Sequence, residues 1–372
     1  MTHRKMFGIG FASVAIASAV ALASCKDDPH LRSDGGSVSG GSGACVAKAG
    51  ELPAPDCDNS SKDCTREPGC NIDEGTCGAA STCLPLANNS GKRQQDFRFR
   101  RLNVAAPEAL AAEFIQKTVV TANVDLDAKQ CGEVGKGLFS WLARIDRDTN
   151  ELLTGGAPPP RDPLKQGFCF ARFNANGIPI EPARLKIAFE GNTFKTVEKQ
   201  RLNVPVFLSD DLASSIVLPL SDVIVQGVTV SSDGNCIGKL NTAGIRADCT
   251  DDPGACSKWT TAGALGGYMT LEEADAVIIR DLSGRSLCVV LSRGVPGPDG
   301  RCKRTNGVID FKGDYCSKDK QAGSCQDSVW LAATFAASAV NIFDGAGVPG
   351  CSGAGTRDAG PDSPPATDAG RD

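Results

Sequence analysis

Seventeen cysteines are distributed along 372 residues, and no two of them are spaced Cys-x-x-Cys. A thiol load of that size constrains the fold more than any other feature, because it demands either an oxidising compartment, where cysteines pair, or metals that hold them as thiolates. Zinc ribbons and dithiol redox centres need the tight pair, whereas Cys64/Cys70 and Cys77/Cys83 each leave five residues between them. Disulfides are therefore expected, and no metal or cofactor. Cys45, Cys57, Cys64, Cys70, Cys77 and Cys83 fall within residues 45–92, a segment of Pro, Gly, Asp and Asn with almost no large apolar side chains. Without cross-links such a segment has no core. It reads equally as a separate module or as a stapled arm packed on the main body, and its pairing is open. Cys131, Cys169, Cys236, Cys249, Cys256, Cys288, Cys302, Cys316, Cys325 and Cys351 follow and are expected to staple loops, especially around Cys236, Cys249, Cys256 and Cys288.

The remaining cysteine, Cys25, stands in a different setting. His3, Arg4 and Lys5 form a basic start, Met6 to Ala23 is an apolar run, and Leu22-Ala23-Ser24-Cys25 closes it. That is the layout of an export signal. In these residues the chain resembles bacterial lipoprotein precursors cut by signal peptidase II. The resemblance covers residues 1–25 and implies that Cys25 becomes an N-terminus carrying diacylglycerol and palmitate. A retained membrane span, or cleavage without lipidation, is the bland alternative, since the run is near spanning length. Lys26 replaces the Asp that favours inner-membrane retention in some species. The expected location is the cell envelope, on the outer membrane, with the lipid in the bilayer and the domain in water.

Removing residues 1–24 takes Arg4 and Lys5 from 39 basic residues and nothing from 44 acidic ones, which leaves a net charge of −7. An acidic exported chain is a poor nucleic-acid partner. Gly91-Lys92-Arg93 and Arg98-Phe99-Arg100-Arg101 are short basic runs and read as a solvated approach to a strand. Residues 25–44, with Ser33-Asp34-Gly35-Gly36-Ser37, read as a flexible tether, and residues 351–372, with the repeated Asp-Ala-Gly of Asp358 and Asp368, as a disordered tail.

Residues 93–350 carry the strand signals. Ala183 to Glu190 alternates, with Ala183, Leu185, Ile187 and Phe189 on one face; Gly137 to Asp146 puts Phe139, Trp141, Ala143 and Ile145 on one face and Leu138 and Leu142 on the other. Phe168 to Phe173, Leu202 to Leu208, Ile216 to Leu220, Val223 to Val230 and Leu287 to Leu291 are further candidates. Asp233-Gly234 marks a hairpin turn, and Pro205 and Pro219 confine their strands to edges or bulges. Helix signals are local. Pro107 opens a segment through Lys117 with a Leu110, Ala111, Phe114, Ile115 stripe; Thr270-Leu271-Glu272-Glu273 is a capping box; Val329 to Phe343 suits either helix or strand. The expectation is a mainly β, disulfide-stapled sandwich or barrel-like domain with a few short helices, preceded by a small Cys-rich segment.

Catalytic signals are sparse. The two histidines are His3, in the signal, and His30, on the tether, so the body lacks His-based acid–base, triad and zinc chemistry. Gly132 to Gly137 lacks the P-loop spacing and reads as a turn. Asp146-Arg147-Asp148-Thr149-Asn150-Glu151 offers calcium-loop oxygens but has Glu151 where that loop needs Gly, so it reads as a polar hairpin tip. Glycoside hydrolysis would draw a carboxylate pair from Glu190, Asp210, Asp211, Asp251, Asp252, Glu272 or Glu273. Of the scarce Trp and Tyr (Trp141, Trp259, Trp330, Tyr268, Tyr315), Trp141 reads as core and Trp259 as exposed. Asp233-Gly234-Asn235-Cys236-Ile237-Gly238 and Ala262 to Tyr268 resemble segments of large uncharacterised lipoproteins of myxobacteria, a likeness over residues 70–345 that implies no activity. The sequence thus points to a lipid-anchored, non-catalytic binding or structural module with a protein or glycan ligand. The alternative is a carboxylate-dependent extracytoplasmic hydrolase.

Overall fold

The computed structural model describes residues 47–57, 69–175, 177–207, 212, 215–251, 257–279, 283–346 and 348–351. Cys25, Cys45, Cys64, Cys256, Asp210, Asp211 and Asp252 lie outside these residues, as do the signal, the tether and the tail beyond Cys351.

The protein is mainly β, 40% strand and 14% helix, with its largest sheet curled into an antiparallel half-barrel. Thirteen strands make that sheet. In chain order they are β1 (Gln94–Ala106), β2 (Ser140–Asp146), β3 (Glu151–Ala157), β4 (Ala183–Glu190), β5 (Thr193–Thr196), β6 (Gln200–Val206) and β7 (Ile216–Gln226). There follow β8 (Val228–Thr229), β9 (Cys236–Ile237), β10 (Ala264–Thr270), β11 (Tyr315–Cys316), β12 (Gln321–Ala322) and β13 (Ser328–Ala339). Their order is β6-β7-β10-β13-β1-β2-β3-β4-β5-β8, with β9 and β11 on β13 and β12 on β11. The first and last strands are therefore central neighbours, paired from Phe97↔Ala339 to Ala106↔Ala332.

The curl follows from continuity between β7 and β8. Only Gly227 separates them, yet β7 pairs with β6 and β10 while β8 pairs with β5 at the far end of the order. Gly227 turns the chain at φ +62°, and a Cβ there would stand 2.5 Å from Pro55 Cγ. Thr196 completes the closure, its hydroxyl accepting from Val225 N at 3.1 Å and donating to Val225 O at 3.3 Å.

Alternation in the strands sends Phe97, Phe99, Trp141, Ile145, Leu185 and Ile187 into one core. Phe99 stacks on Phe335 with ring centroids 4.3 Å apart. Two helices, Leu271–Ala276 and Leu287–Ser292, add Leu271, Ala274, Leu287, Val289 and Leu291 to it. Each Leu, Val, Ile or Phe side chain among these gains roughly 1.5–3 kcal/mol on leaving water. The capping box forms as expected, Thr270 Oγ1 accepting from Glu273 N while Glu273 returns a carboxylate to Thr270 N. The expected β4 and the Phe139 to Ile145 face are present, and Pro205 sits in β6, at the end of the sheet order.

A second core lies on the opposite face of β13, where Ala336 meets Cys77, Cys83, Leu84, Leu126 and Trp259. Three disulfides bind the Cys-rich segment to the sheet side: Cys70–Cys249, Cys77–Cys131 and Cys83–Cys236. Cys169–Cys351, Cys288–Cys302 and Cys316–Cys325 pair within the following chain, and Cys57 is also disulfide-bonded. The arm 47–57 is held by Trp330, whose Nε1 donates to Glu51 O at 2.7 Å, and by Thr334, whose hydroxyl donates to Cys57 O at 2.7 Å.

Several sequence expectations are corrected. Leu287–Leu291 is helical, because Ser286 caps Val289 N and the run is buried on more than one side. Ile216 to Leu220 and Val223 to Val230 merge into β7 and β8, joined through a bulge at Ser221–Ile224 with Asp222 at φ +51°. Phe168 makes an isolated bridge to Ile342, and the strand begins only at Phe173. Val329 to Phe343 resolves as strand through Ala339. The stripe after Pro107 is broken at Ala112, leaving Leu110 half-buried against the core and Phe114 71% exposed.

Candidate functional site

The chemically densest part of the molecule lies where β1 meets the stapled segment. With Phe97 and Phe99 facing the inner core, Arg98 and Arg100 must face the other way, and that face is covered. Both guanidinium groups are 0% exposed and Arg101 is 7% exposed, so the basic run is not a solvated approach to the strand. Buried cations of this kind need partners, because desolvating an unpaired charge costs several kcal/mol. Those partners come from distant segments.

Arg100 Nε donates to Glu133 Oε1 at 3.0 Å, both side chains fully buried. Arg101 Nη1 reaches Asp251 Oδ2 at 2.6 Å and Thr121 Oγ1 at 3.1 Å. Lys258 Nζ pairs with Asp125 Oδ2 and also donates to Gly132 O at 3.1 Å. Arg98 pairs with no carboxylate among the described residues; it donates to Ser140 Oγ at 2.9 Å and to the carbonyls of Phe99 and Val124 at 2.9 and 2.7 Å. Two of the cations also lie over aromatic rings, Arg98 over Phe168 at 5.5 Å and Arg100 over Trp259 at 5.4 Å. Trp259 is fully buried, contrary to the sequence expectation that it is exposed.

The network sets its own protonation. Burial raises the Asp125 carboxyl to about 6 against the pull of Lys258, and the negative charges of Glu133 and Asp251 add to the rise. Burial alone would lower Lys258, but the carboxylates of Asp125, Asp251 and Glu133 outweigh it and hold the ammonium above its ordinary value. Burial would likewise raise Asp251, but Arg101 and Lys258 hold it below the usual carboxylate range. Arg98, lacking an acid of its own, is lowered by burial to about 10. Arg98 and Lys258 therefore stay charged at neutral pH. Buried except at partly exposed Asp251, the network ties β1, residues 125–133, Asp251 and Lys258 into one block.

Of the carboxylates considered for hydrolysis, the four described ones are engaged separately or exposed. Asp251 belongs to the buried network, Glu272 pairs with Arg304 at 2.7 Å, and Glu273 is shared between the helix cap and Arg201 at 2.8 Å. Glu190 is exposed at the end of β4. Asp146 forms the hairpin tip, accepting from Asp148 N and Thr149 N at 2.9 and 3.1 Å, rather than a calcium loop. Asp275 with Cys288 and Cys302, and Asp327 with Cys316 and Cys325, cluster closely enough to ligate a metal, but both cysteine pairs are spent in disulfides. A cleft of about 140 Å³ beside Cys70 is lined by Asn71, Ile72, Glu74, Ala80, Thr242 and Ile245. It is smaller than the roughly 300–1,000 Å³ of small-molecule sites.

Sequence reading missed Asp125, Glu133 and Lys258. The signal that could have found them is Phe-Arg-Phe-Arg itself: once β1 is central, alternation commits the arginines to a covered face that must supply acids. No protein-family model matches the chain, and no curated protein or solved structure matches it.

Proposed function

We propose that the protein is a membrane-anchored envelope lipoprotein, tethered through Cys25, that acts as a non-catalytic binding or structural surface module. The observation that carries this reading is the cross-linking. Twelve cysteines form six disulfides among the described residues, and bridges such as Cys70–Cys249, Cys83–Cys236 and Cys169–Cys351 span 179, 153 and 182 positions. A fold with long-range covalent ties in its cores suits an oxidising compartment, which is where the export signal would deliver it. The acidic and basic groups that catalysis would recruit are consumed in ion pairs, caps and the enclosed network, which favours a scaffold presenting its surface to a protein or glycan ligand.

Intact mass spectrometry of membrane-extracted protein, before and after reduction and alkylation, tests the reading against a Cys25→Ala control. The expected result is a diacylglycerol-bearing N-terminus at Cys25 and no free thiol. An unlipidated chain with several free cysteines overturns it.

A further inference from the structure

We infer that one end of the half-barrel, marked by Phe114, Val119 and Val295, is the face on which the protein rests against the bilayer that holds Cys25, an inference that rests on the lipoprotein reading. Among the described residues, Val295 and Phe114 are the most exposed large apolar side chains, at 72% and 71%, and Val119 is 45% exposed. They belong to adjoining segments. Arg293, two residues before Val295, pairs with Glu108 at 3.2 Å, at the start of the helical stretch that bears Phe114 and Val119. That stretch runs through the turn Glu113–Ile115, which bears Phe114, directly into a π-helical turn, Gln116–Thr121, which bears Val119. Thr118 Oγ1 donates to Phe114 O at 2.6 Å and Asn123 Nδ2 to Val119 O at 2.7 Å.

The first described residues, from Ala47 on, lie at this same end. Ala47, Ala49 and Leu52 pack on the cluster that contains Ala106, the last residue of β1, and Pro107 opens the helical stretch directly after it. If residues 25–44 form the flexible tether that the sequence leads one to expect, the twenty residue steps from Cys25 to Cys45 reach roughly 25 Å, and an anchored protein keeps this end near the lipid. Exposed Lys117 and Lys48 flank it, with exposed Glu51, Glu108 and Glu113 on the same segments. A few apolar tips among charged side chains of both signs match a shallow seat at the boundary of headgroups and acyl chains. Three side chains offer far less than the roughly 1,000 Å² that a stable protein partner would bury.

Hydrogen exchange on the full chain anchored to vesicles of phosphatidylethanolamine and phosphatidylglycerol tests the inference. Anchoring is done in parallel through the native lipid and by coupling unlipidated Cys25 to a maleimide lipid, so that failure of lipidation leaves the test intact. Exchange in residues 113–119 and 293–296 is expected to slow several-fold on vesicles relative to the same chain in solution. The double substitution Phe114→Ser, Val295→Ser is expected to abolish that slowing. The inference is overturned by unchanged exchange in these segments, by equal slowing in the double variant, or by slowing that appears with protein concentration in the absence of vesicles, which would mark a face between two copies.

Discussion

Arg100 and Glu133 show how a single strand position fixes chemistry far away. Their pair lies wholly inside, so removing one partner leaves a desolvated charge on the other. Glu133→Gln is expected to cost about 3–5 kcal/mol in urea unfolding, whereas replacing both residues by apolar side chains of similar size should cost much less. Asp125 gives the network a pH dependence of definite sign. Its folded pKa of about 6 lies above the unfolded value, so the folded state binds the proton more tightly, and that stabilisation is lost as pH rises from about 4 through 6. The unfolding free energy of the wild type relative to Asp125→Asn should fall by about 3 kcal/mol across that window. Carboxyl carbon resonances should place the Asp125 midpoint near 6, and Lys258→Met should move it higher, because the ammonium is what opposes the rise.

Among the elements, the helix Leu287–Ser292 and the kinked β7–β8 strand depend on one residue each. Ser286 Oγ both caps Val289 N at 3.3 Å and donates to buried Asp275 at 2.7 Å. Ser286→Ala therefore removes a cap and one of the two hydrogen bonds to Asp275 Oδ1, which keeps that from Cys302 N at 2.8 Å, for an expected loss of about 2 kcal/mol by chemical denaturation. Gly227→Ala meets both a left-handed φ and Pro55, and is expected to cost about 1–3 kcal/mol, read as a lower melting temperature. These elements also show what sequence can and cannot reveal. β4 and the Thr270 cap were legible because their signals are local: a period of two, and four consecutive residues. Leu287–Leu291 misled because a short apolar run buried on more than one side carries no period. Arg98, Arg100 and Trp259 misled because alternation separates two faces without saying what covers the second. Phe-Arg-Phe-Arg calls for acids on the covered face, but no local signal says that Asp125 and Glu133 supply them or that Lys258 joins them.

At the scale of the molecule, the disulfides should differ in weight. Cys83–Cys236 closes 153 positions and Cys316–Cys325 only 9, so replacing both cysteines of the former by Ser should destabilise by about 2 kcal/mol more than the same change in the latter. Comparative thermal unfolding of the two variants checks the order. The pairing of β1 with β13 has a further consequence, for assembly in time. A chain made from its N-terminus presents β1 some two hundred residues before its longest ladder partner exists, and Cys83 some hundred and fifty before Cys236. Until the last strand arrives one edge of β1 stays open, and although Cys77 meets Cys131 early, Cys70 and Cys83 wait for Cys249 and Cys236. Those two must therefore be held unpaired, or be reshuffled by an isomerase, until their distant partners have been made.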